Sequence, residues 1–232
     1  MTNVRGKMLV AAVVGLAACA PPPRPPRPAA PADRAAAARA ALDALYPASF
    51  QALHRVVLSV HGRDFAFTGY VLCERPARAR VVAFSELGGT VFDVIVTRAG
   101  AQVERAAPGL APRWLEEGVG GAVRALYLWR ASDALVLTDG DGLAVVDPVH
   151  GVEHHVDASG RLSSTETRGP APFRVDVQAW GLVEGSREPV PVTVLAKNMA
   201  AGYTLEVSVL RVAPVEPDDR RFAVPARLDG GS

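Results

Sequence analysis

Between Leu53 and Ala213 the apolar residues recur with a period of two, and this spacing constrains the fold more than any other feature. Side chains alternate between the two faces of a strand, so such a pattern commits a segment to a sheet with one face on a core and one on water. In Phe173–Trp180, Val175, Val177 and Ala179 oppose Arg174, Asp176 and Gln178. In Tyr203–Ala213, Leu205, Val207 and Val209 oppose Thr204, Glu206 and Ser208. Turn residues separate the runs: Gly62-Arg63, Glu86–Gly89, Ala99-Gly100, Asp139-Gly140 and Asp141-Gly142. The spacing predicts about ten antiparallel strands, mainly β with two helices (α+β).

The first helix is expected over Asp33–Tyr46, with Leu42, Leu45 and Tyr46 at helical spacing, Asp33 as N-cap and Pro47 as the stop. The second is expected inside the strand series, over Arg113–Trp129. There Leu115, Val119, Ala122 and Leu126 recur at i, i+4, i+7 and i+11. Gly118, Gly120 and Gly121 each weaken that helix by about 1 kcal/mol relative to Ala. They imply either close packing on a neighbouring backbone or a loosely held, mobile lid.

Ahead of the first helix the chain changes character twice. Arg5 and Lys7 precede an apolar run from Met8 to Ala18, too short to span a membrane but suited to an export signal. The run ends in Leu16-Ala17-Ala18-Cys19, which resembles the lipobox of bacterial lipoproteins. The resemblance implies removal of residues 1–18 and lipidation of Cys19 with diacylglycerol and acyl chains, hence a membrane partner through an N-terminal anchor. Ala20, where the retention signal of enteric bacteria has Asp, points by the same resemblance to the outer membrane, with the domain facing the periplasm. Residues 19–32 then form the anchor and a tether: Pro21–Ala32 holds seven prolines, a polyproline-type spacer of roughly 37 Å. The folded domain is expected over 33–213, followed by a Pro- and charge-rich tail, 214–232.

Composition narrows the chemistry. The 232 residues carry a formal net charge of +1, about −1 without the signal's two basic groups, which excludes a strongly basic nucleic-acid binder. Of the two cysteines, Cys19 is the lipid attachment point and Cys73 sits in an apolar strand as an inert core thiol. No nucleophile elbow, HExxH, phosphate loop or dinucleotide fingerprint occurs, so no catalytic residue and no cofactor is assigned. His150, His154 and His155, with Asp147, Glu153 and Asp157, form the densest cluster of ligand-type side chains. Positions four apart on one strand lie about 13 Å apart, too far to share a metal, so the cluster reads as polar residues on an exposed hairpin.

The lipobox, the Pro-rich tether, the helix and the sheet interrupted by a second helix together resemble the LolB outer-membrane lipoprotein receptor and its LolA-like relatives. The closest local match lies between Ala79 and Glu104, RVVAFSELGGTVFDVIVTRAGAQVE. It is similar to the LolB stretch in which a strand leads to a Leu-Gly-x-Thr loop and a second strand. The resemblance implies an incomplete antiparallel β-barrel whose concave face is covered by helices and binds lipoprotein acyl chains. It implies other lipoproteins or a periplasmic lipoprotein carrier as partners. Leu87 matches the loop Leu that contacts the membrane in the family, with Gly88 and Thr90 at the loop's other signature positions. Glu86 stands where the family loop has Pro, and its charge disfavours shallow insertion. A turn residue folded onto the sheet is the alternative for Leu87.

On this resemblance the cavity-lining candidates from the strands are Phe65, Phe67, Val82, Phe84, Val91, Ile95 and Val175. Leu115 and Val119 join them from the covering helix. The same side chains would equally fill a packed core. Two functions remain open: a lipid-anchored receptor for lipoprotein acyl chains, or an envelope lipoprotein whose β-domain binds a protein partner and no lipid.

Overall fold

A computed structural model describes residues 26–60, 62–132, 134–148, 151–168, 172–198 and 202–223. The expected signal peptide, Cys19, the first part of the expected tether, His150 and the last part of the tail lie outside the described residues. Among the described residues twelve strands form one sheet. They are β1 (Ser49–Val60), β2 (Arg63–Glu74), β3 (Arg78–Phe84), β4 (Thr90–Thr97), β5 (Ala101–Ala106) and β6 (Leu135–Asp139). Then come β7 (Gly142–Asp147), β8 (Val152–Val156), β9 (Leu162–Thr167), β10 (Phe173–Gly181), β11 (Val190–Asn198) and β12 (Tyr203–Pro214).

The order is β5-β4-β3-β2-β1-β12-β11-β10-β9-β8-β7-β6, antiparallel throughout. Every neighbour is consecutive in sequence except β1 and β12, which zip two meanders together along eleven paired positions from Phe50/Pro214 to Val60/Tyr203. The edges β5 and β6 do not pair, so the sheet curls into an open half-barrel. Twelve strands stand where about ten were expected, because β6–β9 are only five or six residues long and turn back through tight hairpins.

Helices cover the concave face. α1 (Ala32–Ala44) starts a residue before the expected Asp33, which sits in the first turn while Pro31 takes the N-cap position. Its Ala35, Ala38 and Leu42 pack with Val136, Leu143 and Val145 of β6 and β7. Mid-chain, α2 (Pro112–Trp114), a π-helical turn (Leu115–Val119) and α3 (Gly120–Leu126) run on without a break over β1–β5. This covering helix ends at Leu126 rather than at the expected Trp129. No helix among the described residues is long and apolar enough to cross a membrane.

Two boundaries move. The fold begins before Ala32: Ala30 N donates to Val136 O (3.0 Å) and Thr138 N to Pro28 O (2.9 Å), so the last residues of the expected tether lie along β6 rather than in solvent. The fold also runs past 213. A 3-10 turn, Asp219–Phe222, docks on the convex side, where the Arg78 guanidinium lies over the buried Phe222 ring and pairs with Asp219, and Arg80 binds Arg221 O (2.9 Å).

The covered concavity as candidate functional site

Strand phase decides which side chains can meet a ligand. In β3 the buried positions are Ala79, Val81 and Ala83, and in β4 they are Phe92, Val94 and Val96. Val82, Phe84 and Ile95 therefore lie on the other face, with Arg80 and Asp93, which form a two-bond ion pair at 2.7 and 3.0 Å. Val82 contributes instead to a convex groove with Tyr70, Leu72 and Val215. Val91 is half-buried and packs at the margin of the core.

Beneath the covering helix is an apolar cavity of about 70 Å³. Phe67, Val71, Val81 and Phe92 line it from the sheet, and Trp114, Val119, Val123 and Leu126 from the helix. Of the sequence candidates the structure brings Phe67 and Val119 to this cavity. Leu115 is fully buried beside it in the same core cluster, and Val175 in the adjoining one. Phe65 shares the inward parity of Phe67 but lies near the hairpin tip, half exposed, and does not line the cavity.

Sequence reasoning missed the polar members of the site. His54 and Tyr127 line the cavity, with Tyr127 Oη 3.0 Å from His54 Nε2. Burial holds the His54 imidazole neutral, its pKa pushed down to about 4, and drives the Tyr127 phenol well above its ordinary value. A single His within alternating apolar residues gave no signal of this pairing.

Arg75, in the β2–β3 turn, was also missed. It is buried, and its guanidinium donates to four carbonyls: Tyr46 O (2.8 Å), Asp43 O (3.0 Å), Tyr127 O (3.3 Å) and Trp129 O (3.3 Å). These belong to the C-terminal ends of α1 and of the covering segment, where carbonyls lack helical partners and a cation is favoured. Arg75 thus ties both helices to one end of the sheet.

At its other end the covering helix is held by contact. A Cβ at Gly118 would collide with the Tyr203 hydroxyl, and one at Gly120 would lie 2.9 Å from the Ala101 methyl. Two of the three glycines therefore permit close approach to β12 and β5, while Gly121 faces open space. Trp114 packs against Tyr203 with ring centroids 5.5 Å apart.

The Ser85–Gly89 turn closes by Gly88 N to Ser85 O (2.9 Å) and Ser85 N to Gly89 O (2.8 Å). Gly88 adopts φ +81°, a conformation an L side chain rarely takes. Leu87 at the tip is 99% exposed and does not fold back onto the sheet.

The histidine hairpin is not an exposed polar patch. His154 faces the core, its ring tilted against Trp129 with centroids 4.0 Å apart and Nδ1 2.9 Å from Thr165 Oγ1, and burial lowers its pKa to about 3. Glu153 and His155 take the opposite face of β8. Burial alone would raise the Glu153 pKa, but the Arg27 hydrogen bond and charge, with His155 and Arg168, hold it below the usual carboxylate range. Among the described residues no group of three or more His, Cys, Asp or Glu side chains is arranged to hold a metal. Cys73 is buried, its thiol pushed up to about 12 chiefly by burial.

No protein-family model matches the chain, and no curated protein matches its sequence. Solved structures do. A LolA superfamily protein from Nitrosomonas europaea is 12% identical with a TM-score of 0.59, covering 82% of this chain and 97% of that one. A DUF1329 family protein from Desulfovibrio piger is 8% identical (TM-score 0.40), covering 82% and 96%. An outer membrane lipoprotein-sorting protein domain from Vibrio parahaemolyticus, described as putative, is 11% identical (TM-score 0.36), covering 81% and 94%. The likeness of fold rests on the first: the chain has the LolA-type half-barrel.

Proposed function

We propose that this protein is a lipid-anchored envelope receptor, not an enzyme, which holds an acyl chain of a lipoprotein or lipid beneath the covering helix. The observation that carries the reading is the cavity itself. It is lined by apolar and aromatic side chains, with the His54–Tyr127 pair as its main polar feature, and it is covered by a helix that Arg75 ties by hydrogen bonds at one end and that side-chain contacts hold at the other.

The cavity of about 70 Å³ is roughly half the 150 Å³ that admits benzene in an engineered core. An acyl chain therefore enters only when the covering helix lifts. The Arg75 end is the natural hinge and the Trp114 end the part that moves. Burying fourteen methylenes contributes on the order of 11 kcal/mol before ordering costs, enough to offset parting the helix from the sheet. The expected result is co-purifying acyl lipid in mass spectra of protein prepared without its anchor, together with uptake of a fluorescent fatty-acyl probe. A lipid-free interior that takes up no probe would favour the protein-partner reading instead.

Leu87 supplies the membrane contact in this reading. Its exposure at a turn tip leaves nothing for a substitution to disrupt in the fold. Leu87→Glu is expected to keep the thermal unfolding profile and lower lipoprotein transfer to liposomes at least tenfold. Transfer at the original rate removes the role.

A further inference from the structure

An open sheet edge invites pairing, and β6 answers that with the chain's own tether. Ala29 bridges Leu137 in antiparallel sense, flanked by the Ala30–Val136 and Thr138–Pro28 hydrogen bonds, and Thr138 Oγ1 adds a second bond to Pro28 O (3.0 Å). Beside this short ladder Arg27 reaches Glu153 at 2.7 Å and Asp139 at 3.7 Å. Glu153 is 1% exposed, and its second oxygen takes Arg168 at 2.6 Å. A carboxylate so far out of water requires cationic partners, and the less exposed of its two arginines comes from the tether. Backbone ladder and arginine pocket together make a built site for an extended Arg-Pro segment.

The direction of this segment matters. The β1–β2 and β3–β4 turns lie at one end of the strands, shared with the start of β12, of β10, of β8 and of β6. The tether runs antiparallel to β6, with Arg27 beside Asp139 at the other end. The described chain, which starts at Pro26, therefore enters from the end opposite Leu87.

We propose that the β6 edge and Glu153 form a docking site for the chain's own Arg27–Ala30 segment, and that docking turns the Leu87 end away from the membrane holding Cys19. The proposal rests on the reading of Cys19 as lipid anchor and Leu87 as membrane contact. While docked, only about eight residues separate Cys19 from the domain, roughly 25 Å at 3.1 Å per residue. Once released, about thirteen do, roughly 40 Å, and the direction of approach is no longer fixed. Access of Leu87 to its own membrane is then governed by the strap.

The test uses the full lipidated chain in vesicles of phosphatidylethanolamine and phosphatidylglycerol bearing brominated acyl chains, diluted so that vesicles do not touch. Leu87→Trp serves as the reporter, read against the quenching of the protein without that substitution. Ala29→Cys with Leu137→Cys locks the strap, since bridge partners of this kind lie within disulfide reach. Quenching of Trp at position 87 is expected to be absent when the lock is oxidised and to rise at least twofold on reduction. Glu153→Gln in the reduced protein is expected to raise it further. Equal quenching in both states overturns the proposal, and so does quenching in neither. Acyl-probe uptake by the same samples reports separately whether the cavity reading stands.

Discussion

Replacing Arg75 with Met is expected to lower the stability of the domain by about 3–5 kcal/mol, a drop of roughly 10 °C in Tm. The side chain is buried and its guanidinium is the shared partner of four carbonyls from two separate covering segments. Met fills much of the volume but offers no donor. The carbonyls of Asp43, Tyr46, Tyr127 and Trp129 would be left short of partners in a site with little water, at about 1–3 kcal/mol for each group fully orphaned. The two bonds of 3.3 Å are weaker than the two near 3 Å, which keeps the total below a simple sum.

Lys at the same position retains the charge and one or two of the bonds but lacks the planar fork that spans both helices. Arg75→Lys is therefore expected to fall between the parent and Arg75→Met. Urea unfolding of the three proteins checks the order. Hydrogen exchange locates the loss, which is expected at the amides of α1 and the covering helix and not in β10–β12. If exchange rises evenly over the whole sheet, Arg75 stabilises the domain generally and is not the tie that holds the helices.

How much of this was legible in the sequence depends on whether one face of each strand is marked by charge. In β10 and β12 polar residues label the outer face, and the expected inward residues Val175, Leu205, Val207 and Val209 are buried. In β3 and β4 both alternating sets are apolar, so hydrophobicity alone does not choose between Val82 and Val81, or between Ile95 and Val94. The signal lay in Arg80 and Asp93, whose ion pair fixes the convex face of both strands. Val82 remains apolar there because the segment after β12 lies over it, a contact between distant parts of the chain that local pattern does not carry.

Arg75 and the Arg27–Glu153 pair escaped for a related reason. An Arg before Pro in a turn and an Arg in a Pro-rich tether both read as solvated charges. Their partners, four carbonyls and a buried carboxylate, exist only once the sheet has curled and the helices have docked. The glycines of the covering helix left two readings open. Contacts at Gly118 and Gly120 show close packing, yet a helix seated through glycine against Tyr203 and Ala101 is also one that parts without breaking a side-chain hydrogen bond at those points.

Acid is expected to unfold this domain more readily than its near-neutral charge suggests, through two histidines rather than through net repulsion. His54 and His154 are both buried and neutral, with pKa values pushed down to about 4 and about 3. The cause is burial in each case. For His154 the nearby positive charges of His155 and Arg75 add to it, and Asp147 works against it. Unfolded, each titrates near 6.5. Between that value and the folded one the unfolded chain binds the extra proton, so stability falls as pH falls through the window and is constant above it with respect to these groups. Each histidine contributes up to about 1.4 kcal/mol per pH unit inside the window, and the two together remove roughly 5–6 kcal/mol between pH 6.5 and pH 4. That is comparable with the whole stability of a typical domain. Glu153 joins below its unfolded value near 4.5, because its own pKa is lowered and its pairing is lost as pH drops further. The urea midpoint is thus expected to be flat from pH 8 to 7 and to decline steeply below pH 6. His54→Gln keeps a partner for Tyr127 Oη without a titratable ring, and is expected to halve the slope between pH 6 and 4. An unchanged slope in that variant would move the acid sensitivity away from the cavity. A halved slope ties it to the contact between the floor of the barrel and Tyr127, so that protonation of His54 acts on the segment Arg75 also holds.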